Sequence, residues 1–204
     1  MKFNKSIIAT SLILMATSTA TLAAHSEGHT DSNISYDHAS VAYKSLSVDG
    51  LSDDFSGFEL AVQKKVFETN VFIALEYSNM SMDVNSFDLD VTEKRVGLGY
   101  GYTISKDFAI DAEFGMVESE SKFPGFKFSE DGYYFGANAH YMIMENVEGY
   151  AKAKRFKYSD ANSDGFTEFA LGAKYIFSEK FDIFAEHVSY DGESGLEFGA
   201  SYRF

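Results

Sequence analysis

Residue types that could do chemistry occur at three places in this chain. His187-Val188-Ser189 sets an imidazole and a hydroxyl two residues apart. On a strand that spacing puts both on one face, where the base could activate the hydroxyl for acyl transfer. A carboxylate would have to orient the histidine; Glu186 and Glu197 are the nearest candidates. Asp160-Ala161-Asn162-Ser163-Asp164-Gly165 resembles the opening of a calcium loop, with oxygen ligands at alternate positions and Gly for the turn. Leu171 stands where the closing bidentate Glu is needed, which excludes an EF-hand. The same residues suit a plain hairpin loop. His25, His29 and His38 are metal-ligand types without a partner at ligand spacing. No catalytic residue, metal or cofactor is therefore expected.

The elements that would position these residues have a period of two. Val96, Leu98, Tyr100, Tyr102 and Ile104 alternate with Arg95, Gly97, Gly99, Gly101 and Thr103. Phe108, Ile110, Ala112, Phe114 and Met116 alternate with Asp111, Glu113 and Gly115, and Leu196, Phe198, Ala200, Tyr202 and Phe204 with Glu197, Gly199, Ser201 and Arg203. Runs of this kind predict ten strands, near 36–48, 57–66, 71–82, 92–104, 108–119, 131–143, 147–159, 165–177, 181–191 and 194–204, with eight as the alternative count. Each is close to the ~9–11 residues of a tilted transmembrane strand. Tight turns at 67–70, 105–107, 144–146 and 178–180 alternate with mostly longer acidic connections at 49–56, 83–91, 120–130 and 160–164, and a tight 191–193 closes the series. An up-and-down meander gathers the tight turns at one end. Pro124 falls in a predicted loop, where it costs no ladder hydrogen bond.

Alternation alone leaves two orientations open. A soluble β-protein would bury the apolar face, whereas a membrane barrel turns it to lipid and keeps polar groups inside. An even strand count, asymmetric connections, a closing aromatic and an export leader favour the barrel. The polar face favours it too. It carries Lys44, Lys65, Arg95, Lys152, Lys154, Lys174 and Arg203 against Glu59, Glu76, Asp111, Glu113, Glu148, Glu168 and Glu197, with Gln63 and His140. Such a near-neutral mixture suits a narrow lumen in which paired charges offset each other's desolvation. Interleaved glycines leave room for the Arg and Lys side chains. Tyr77, Tyr100, Tyr102, Tyr133, Tyr141, Tyr175 and Tyr202 lie near strand ends, as interfacial girdles require.

Composition narrows the function classes. The 204 residues carry 31 Asp+Glu against 17 Lys+Arg, a formal charge of −14, and have no basic block, which excludes nucleic acid as a partner. The absence of Cys excludes disulfide scaffolds and thiol chemistry. At 45% apolar residues the chain is too hydrophobic for disorder. Residues 1–24 read as a signal peptide, with Lys2 and Lys5 before an apolar core from Ile7 to Met15 and small residues at the cleavage region. Residues 25–33 are expected to form a flexible lead-in, and 34–204 a single barrel domain.

The Val96-Gly97-Leu98-Gly99-Tyr100-Gly101-Tyr102 strand and the closing Leu196–Phe204 segment resemble the small outer-membrane β-barrels of Gram-negative bacteria. That group includes the barrel domain of outer membrane protein A and the adhesion/invasion barrels. Ten strands depart from the common eight of that family, so no subfamily is assigned. The resemblance implies an all-β, up-and-down antiparallel transmembrane barrel in the outer membrane. It implies short periplasmic turns and a terminal Phe204, with Tyr202, read by the barrel assembly machinery. Periplasmic chaperones, outer-membrane lipid and lipopolysaccharide are the partners implied. A host or phage surface ligand is open, and a closed barrel needs no second copy to cover an edge. The His187/Ser189 pair is similar to the His-x-Ser pair of lipid A deacylases, but nothing else of that pattern is present. The expectation is a non-enzymatic protein with a structural or surface-interaction role. A narrow channel for ions or small solutes is the alternative, and a lipid A-modifying hydrolase the weaker third.

Overall fold

The computed structural model describes residues 33–48, 53–84, 87–159, 165–191 and 193–204. The expected leader, His25, His29, the start of the 49–56 connection and residues 160–164 of the calcium-loop motif lie outside them. Ten antiparallel strands run β1 His38–Ser47, β2 Phe55–Lys65, β3 Val71–Val84, β4 Phe87–Ser105, β5 Phe108–Phe123, β6 Phe126–Met144, β7 Val147–Tyr158, β8 Phe166–Ile176, β9 Phe181–Tyr190 and β10 Glu193–Arg203. Each pairs with its sequence neighbours, and β1 pairs with β10 to close the barrel. Closure leaves no sheet edge to template aggregation.

The orientation is that of a membrane protein. Leu98, Phe114 and Phe198 are 40%, 60% and 54% exposed on the outer surface, whereas Arg95, Glu113, Lys154 and Glu197 are buried. Tyr100, Tyr102, Tyr133, Tyr141, Tyr175 and Tyr202 also face outward. The aromatics Phe72, Tyr134 and Phe156, by contrast, are fully buried inside. Inward rings, with Tyr36, Tyr150 and Phe184 beside Phe72 and Tyr134, account for most of the glycine pattern. A Cβ on Gly99 would lie 2.0 Å from the Phe72 ring, and one on Gly172 2.3 Å from the Tyr150 ring. Rings, more than Arg or Lys, fill the space over the inward glycines; Gly136, against the Lys154 stem, fits the original expectation.

Strand lengths divide the barrel in two. β1, β2 and β7 to β10 have 10–12 residues, about what a tilted membrane crossing needs. β3, β4, β5 and β6 have 14, 19, 16 and 19. The surplus lies away from the tight turns, so these four strands continue as a wall beyond the membrane on the outer side. Residues 83–91 and 120–130, expected as acidic loops, are therefore largely paired strand. Asp83 opposes Asp88, and Phe123 opposes Phe126 across Pro124-Gly125, with Gly125 at φ 85°. Proline followed by a left-handed glycine is the sequence of a type II turn.

The inner mouth differs from expectation as well. β1 begins at His38, and residues 33–37 run as a strap across the barrel floor. The Asn33 amide donates to the Lys106 carbonyl (3.0 Å), and the Asp37 carboxylate accepts from the Lys65 amide (2.7 Å). Ile34 packs with Ala109, Met142 and Ile176, and Tyr36 stacks on Phe72 at 5.4 Å.

Candidate functional site: the charge-filled lumen and its outer vestibule

Every second residue of each strand points to the barrel axis, and the charges so placed fall into an outer and an inner group. In the outer group Lys44 meets Glu59 at 2.7 Å and Glu197 at 3.5 Å. Arg95 meets Glu93 at 2.5 Å, Glu76 at 2.9 Å and Glu168 at 3.3 Å, and its guanidinium lies 4.6 Å from the centre of the Phe156 ring. Lys154 bridges Glu76 (2.9 Å) and Glu113 (3.9 Å), and Lys152 reaches Glu186 at 2.6 Å. Glu113 also accepts a hydrogen bond from the Tyr134 hydroxyl. In the inner group Glu148 lies 3.6 Å from Lys174 and 3.9 Å from Arg203, and Arg203 contacts Asp182 at 2.8 Å. His140 sits between Asp111 (3.1 Å) and Glu148 (2.9 Å). Both ring nitrogens can donate at once only in the imidazolium form.

Lys65 stands apart. It has no ion pair among the described residues, and its ammonium lies 5.5 Å from the Tyr36 ring centre. Three acids beyond the polar face expected from the sequence join the network: Glu93, Asp182 and Glu186. Each stands at the inward position of its strand, so the same alternation carried the signal. They convert the expected near-neutral lumen into one with an excess of carboxylates.

The axis holds two spaces. A cavity of about 100 Å³ lies between the strap and the central charges, lined by Tyr36, His38, Asn138, His140 and Lys174 among others. A vestibule of about 320 Å³ opens outward above Lys44 and Arg95 and is bordered by Met80, Val91, Glu93, Phe166, Tyr190 and Asp191.

Sequence comparison adds the family. A model described as the outer membrane protein beta-barrel domain matches residues 9–204. The chain belongs to that family. Membership implies an outer-membrane location, in keeping with the lipid-type outer surface. No curated protein matches the chain in sequence. Among solved structures, the NanC porin is similar at 10% identity and TM-score 0.53, covering 81% of this chain and 100% of that one. The KdgM porin in complex with disordered oligogalacturonate aligns at 12% identity and TM-score 0.51, covering 81% and 99%. The beta domain of the Bordetella autotransporter BrkA aligns at 10% identity and TM-score 0.50, covering 82% and 99%. At these identities the likeness is one of fold.

Within this outer-membrane barrel the hydrolase geometry fails. His187 is exposed on the lipid side of β9, and Ser189 shares that face. Glu186 and Glu197 are buried on the opposite, axial side. Neither carboxylate can orient the imidazole through the sheet, so no triad forms. Tyr202 and Phe204 lie outward at the inner rim. Tyr202 packs on Phe181 at 5.1 Å, and Lys64 lies 4.4 Å from the centre of the Phe204 ring.

Proposed function

We propose that this protein is a closed, non-enzymatic outer-membrane barrel whose work is done at the cell surface. The observation that carries this reading is the obstruction of the axis at two levels. The Lys44, Arg95 and Lys154 clusters cross the middle, and Ile34 and Tyr36 stop the inner mouth. Opening such a lumen would mean breaking buried ion pairs, which leaves charges uncompensated. Among the described residues, the wall of β3 to β6 is the one large surface offered to the outside. Its outward Lys94, Lys122 and Lys127 stand where lipopolysaccharide phosphates would lie, and Asp83, Asp88 and Asp90 could share divalent cations with the same headgroups. In this reading the leader is cleaved on export, chaperones carry the chain across the periplasm, and Tyr202 and Phe204 present the closing strand to the assembly machinery.

The test is planar-bilayer conductance of the refolded protein, with folding checked by heat-modifiable gel migration. A folded barrel that gives no steady single-channel step supports the proposal. A reproducible conducting step overturns it in favour of a narrow channel. Two chambers in line on the axis favour that second reading, and the excess of lumen carboxylates would make such a channel prefer cations.

A further inference from the structure

The wall reverses the rule of the membrane band. In β3 and β4, the pairs Glu76↔Arg95 and Ser78↔Glu93 face the axis within the barrel. Continuing outward on the same face come Met80↔Val91 and Met82↔Leu89. In β5 and β6 the axial face passes from Val117↔Gly132 through the polar pair Ser119↔Glu130 to Ser121↔Phe128 and Phe123↔Phe126. The opposite face of these segments carries Lys94 against Glu118 and Asp90 against Lys122. Apolar side chains therefore face lipid in the membrane and face the axis above it. Phe123, Phe126 and Phe128 are 49%, 79% and 56% exposed. Met82 is buried, and these three rings are the apolar part of the face left open to water above a cavity, the kind of surface that marks a binding face.

The vestibule beneath that face combines aromatic walls with carboxylates. Phe166 stacks on Phe156 at 4.8 Å and meets Tyr190 edge-on at 5.8 Å. One cation already uses this stack, the Arg95 guanidinium over Phe156. Arg95 and Lys44 do not make the vestibule positive, because Glu76, Glu93 and Glu168 surround the first and Glu59 and Glu197 the second. Asp191 and Glu193 add to the acidic rim. Aromatic faces with converging carboxylates are the chemistry that recognises an ammonium group. A volume of about 320 Å³ is at the small end of ligand sites.

We propose that the outer vestibule, with the axial face of the β3–β6 wall above it, binds an organic cation that has an apolar body. The ammonium lies toward Glu93 and Asp191, against the Phe166–Tyr190 pair. The apolar body rests against Met80 and Val91 and extends toward Phe128. The acidic rim draws the cation in and rejects an anion of the same shape. This names a ligand class for the surface role above and rests on that reading only for the vestibule's closed floor.

The experiment follows methionine methyl resonances of the refolded, full barrel during titration with benzyltrimethylammonium. Phenylacetate and benzyl alcohol serve as the anionic and neutral controls. Saturable shifts of Met80, with Met142 at the other end of the barrel unmoved, are the expected result. Phe166→Leu and Asp191→Asn, each shown folded by gel migration, are expected to weaken binding about tenfold or more together. Equal response to phenylacetate or benzyl alcohol overturns the proposal, as does a silent Met80 at saturating cation. Asp191 stands at an exposed turn, so its variant keeps the test open if Phe166→Leu does not fold. Conductance recorded on the same preparation separates the two readings. A conducting barrel blocked by the cation keeps the site and removes the closed lumen, whereas a silent barrel without Met80 shifts removes the site alone.

Discussion

Two stretches of the same hairpin follow opposite rules. In β5 and β6, Phe114 and Phe135 point outward near the middle of the membrane band, and Glu113 and Tyr134 point to the axis. A few residues further along, Lys122 and Lys127 point outward and Phe123 and Phe126 to the axis. Nothing in the backbone changes, since the ladder runs on without a shift from Ala109↔His140 to Phe123↔Phe126. What changes is the surrounding medium. In hydrocarbon the outward face must be apolar, and the charges survive only where other charges meet them. In water the outward face can be charged, and the apolar side chains gather on the sheltered side. The reversal along one strand therefore records where the membrane ends.

The first way to break this comparison is to remove the charge pairing that the membrane band depends on. Arg95→Met would leave Glu76, Glu93 and Glu168 buried without their shared cation. The expected loss is about 3–5 kcal/mol of unfolding free energy. Urea unfolding followed by gel migration measures it. Replacing Glu93 and Glu168 by glutamine in the same chain should recover much of that loss, because Glu76 keeps Lys154 and no carboxylate of the three is left without a cation. A loss under about 1 kcal/mol for Arg95→Met would mean that water reaches this layer freely.

A second large effect tests the packing of rings over glycines. Gly99→Val would drive a branched side chain into the Phe72 ring, already 2.0 Å from where a Cβ would stand. The floor aromatics Tyr36 and Phe72 would have to move together, and overpacking of this kind costs about 1–3 kcal/mol or more. The companion Phe72→Leu should relieve part of it. If the pair is no better than the single variant, the ring is not what the glycine accommodates.

Alternation makes most of the membrane band legible in the sequence. The outward Leu98 and Phe114, the inward Arg95 and Glu113, and the ten-strand count all follow from it. It should equally have delivered Glu93, Asp182 and Glu186, which lie two or four residues from inward positions on their own strands. Three features were not legible, each for a physical reason. The wall looked like loops because Asp83, Asp88 and Asp90 are poor strand formers, and because its alternation changes sign at the membrane surface. The strap of Ile34 and Tyr36 is too short to show any period. Inward rings such as Phe72, Tyr134 and Phe156 are of the same residue types as the lipid-facing ones, so only the closed sheet sorts them.

The comparison is sharpened by placing one change in each stretch. Phe114→Lys puts a charge against lipid near mid-membrane and should cost about 2–4 kcal/mol. Phe128→Lys puts the same charge on the axial side of the wall, where the ring is already 56% exposed. There the expected change is within about 0.5 kcal/mol, as for other exposed positions. Denaturant midpoints of the two variants, compared at equal slope, give the difference directly. Equal losses would show that Phe128 is packed against other side chains on the axial side of the wall, since a charge there meets no lipid wherever the membrane ends.

The smallest expected effect is also the most discriminating. Phe126 is 79% exposed beside the Pro124-Gly125 turn, so Phe126→Ser removes little buried area. Unfolding should shift by no more than about 0.5 kcal/mol. The axial face of the wall should nevertheless become measurably less apolar, which binding of a hydrophobic fluorescent dye to the folded barrel would report as a lower signal. A stability loss well above that figure would show that Phe126 packs against other parts of the barrel top. The wall would then be held by its aromatics as firmly as the band is held by its ion pairs, and its apolar face would be core, not a surface kept for a ligand.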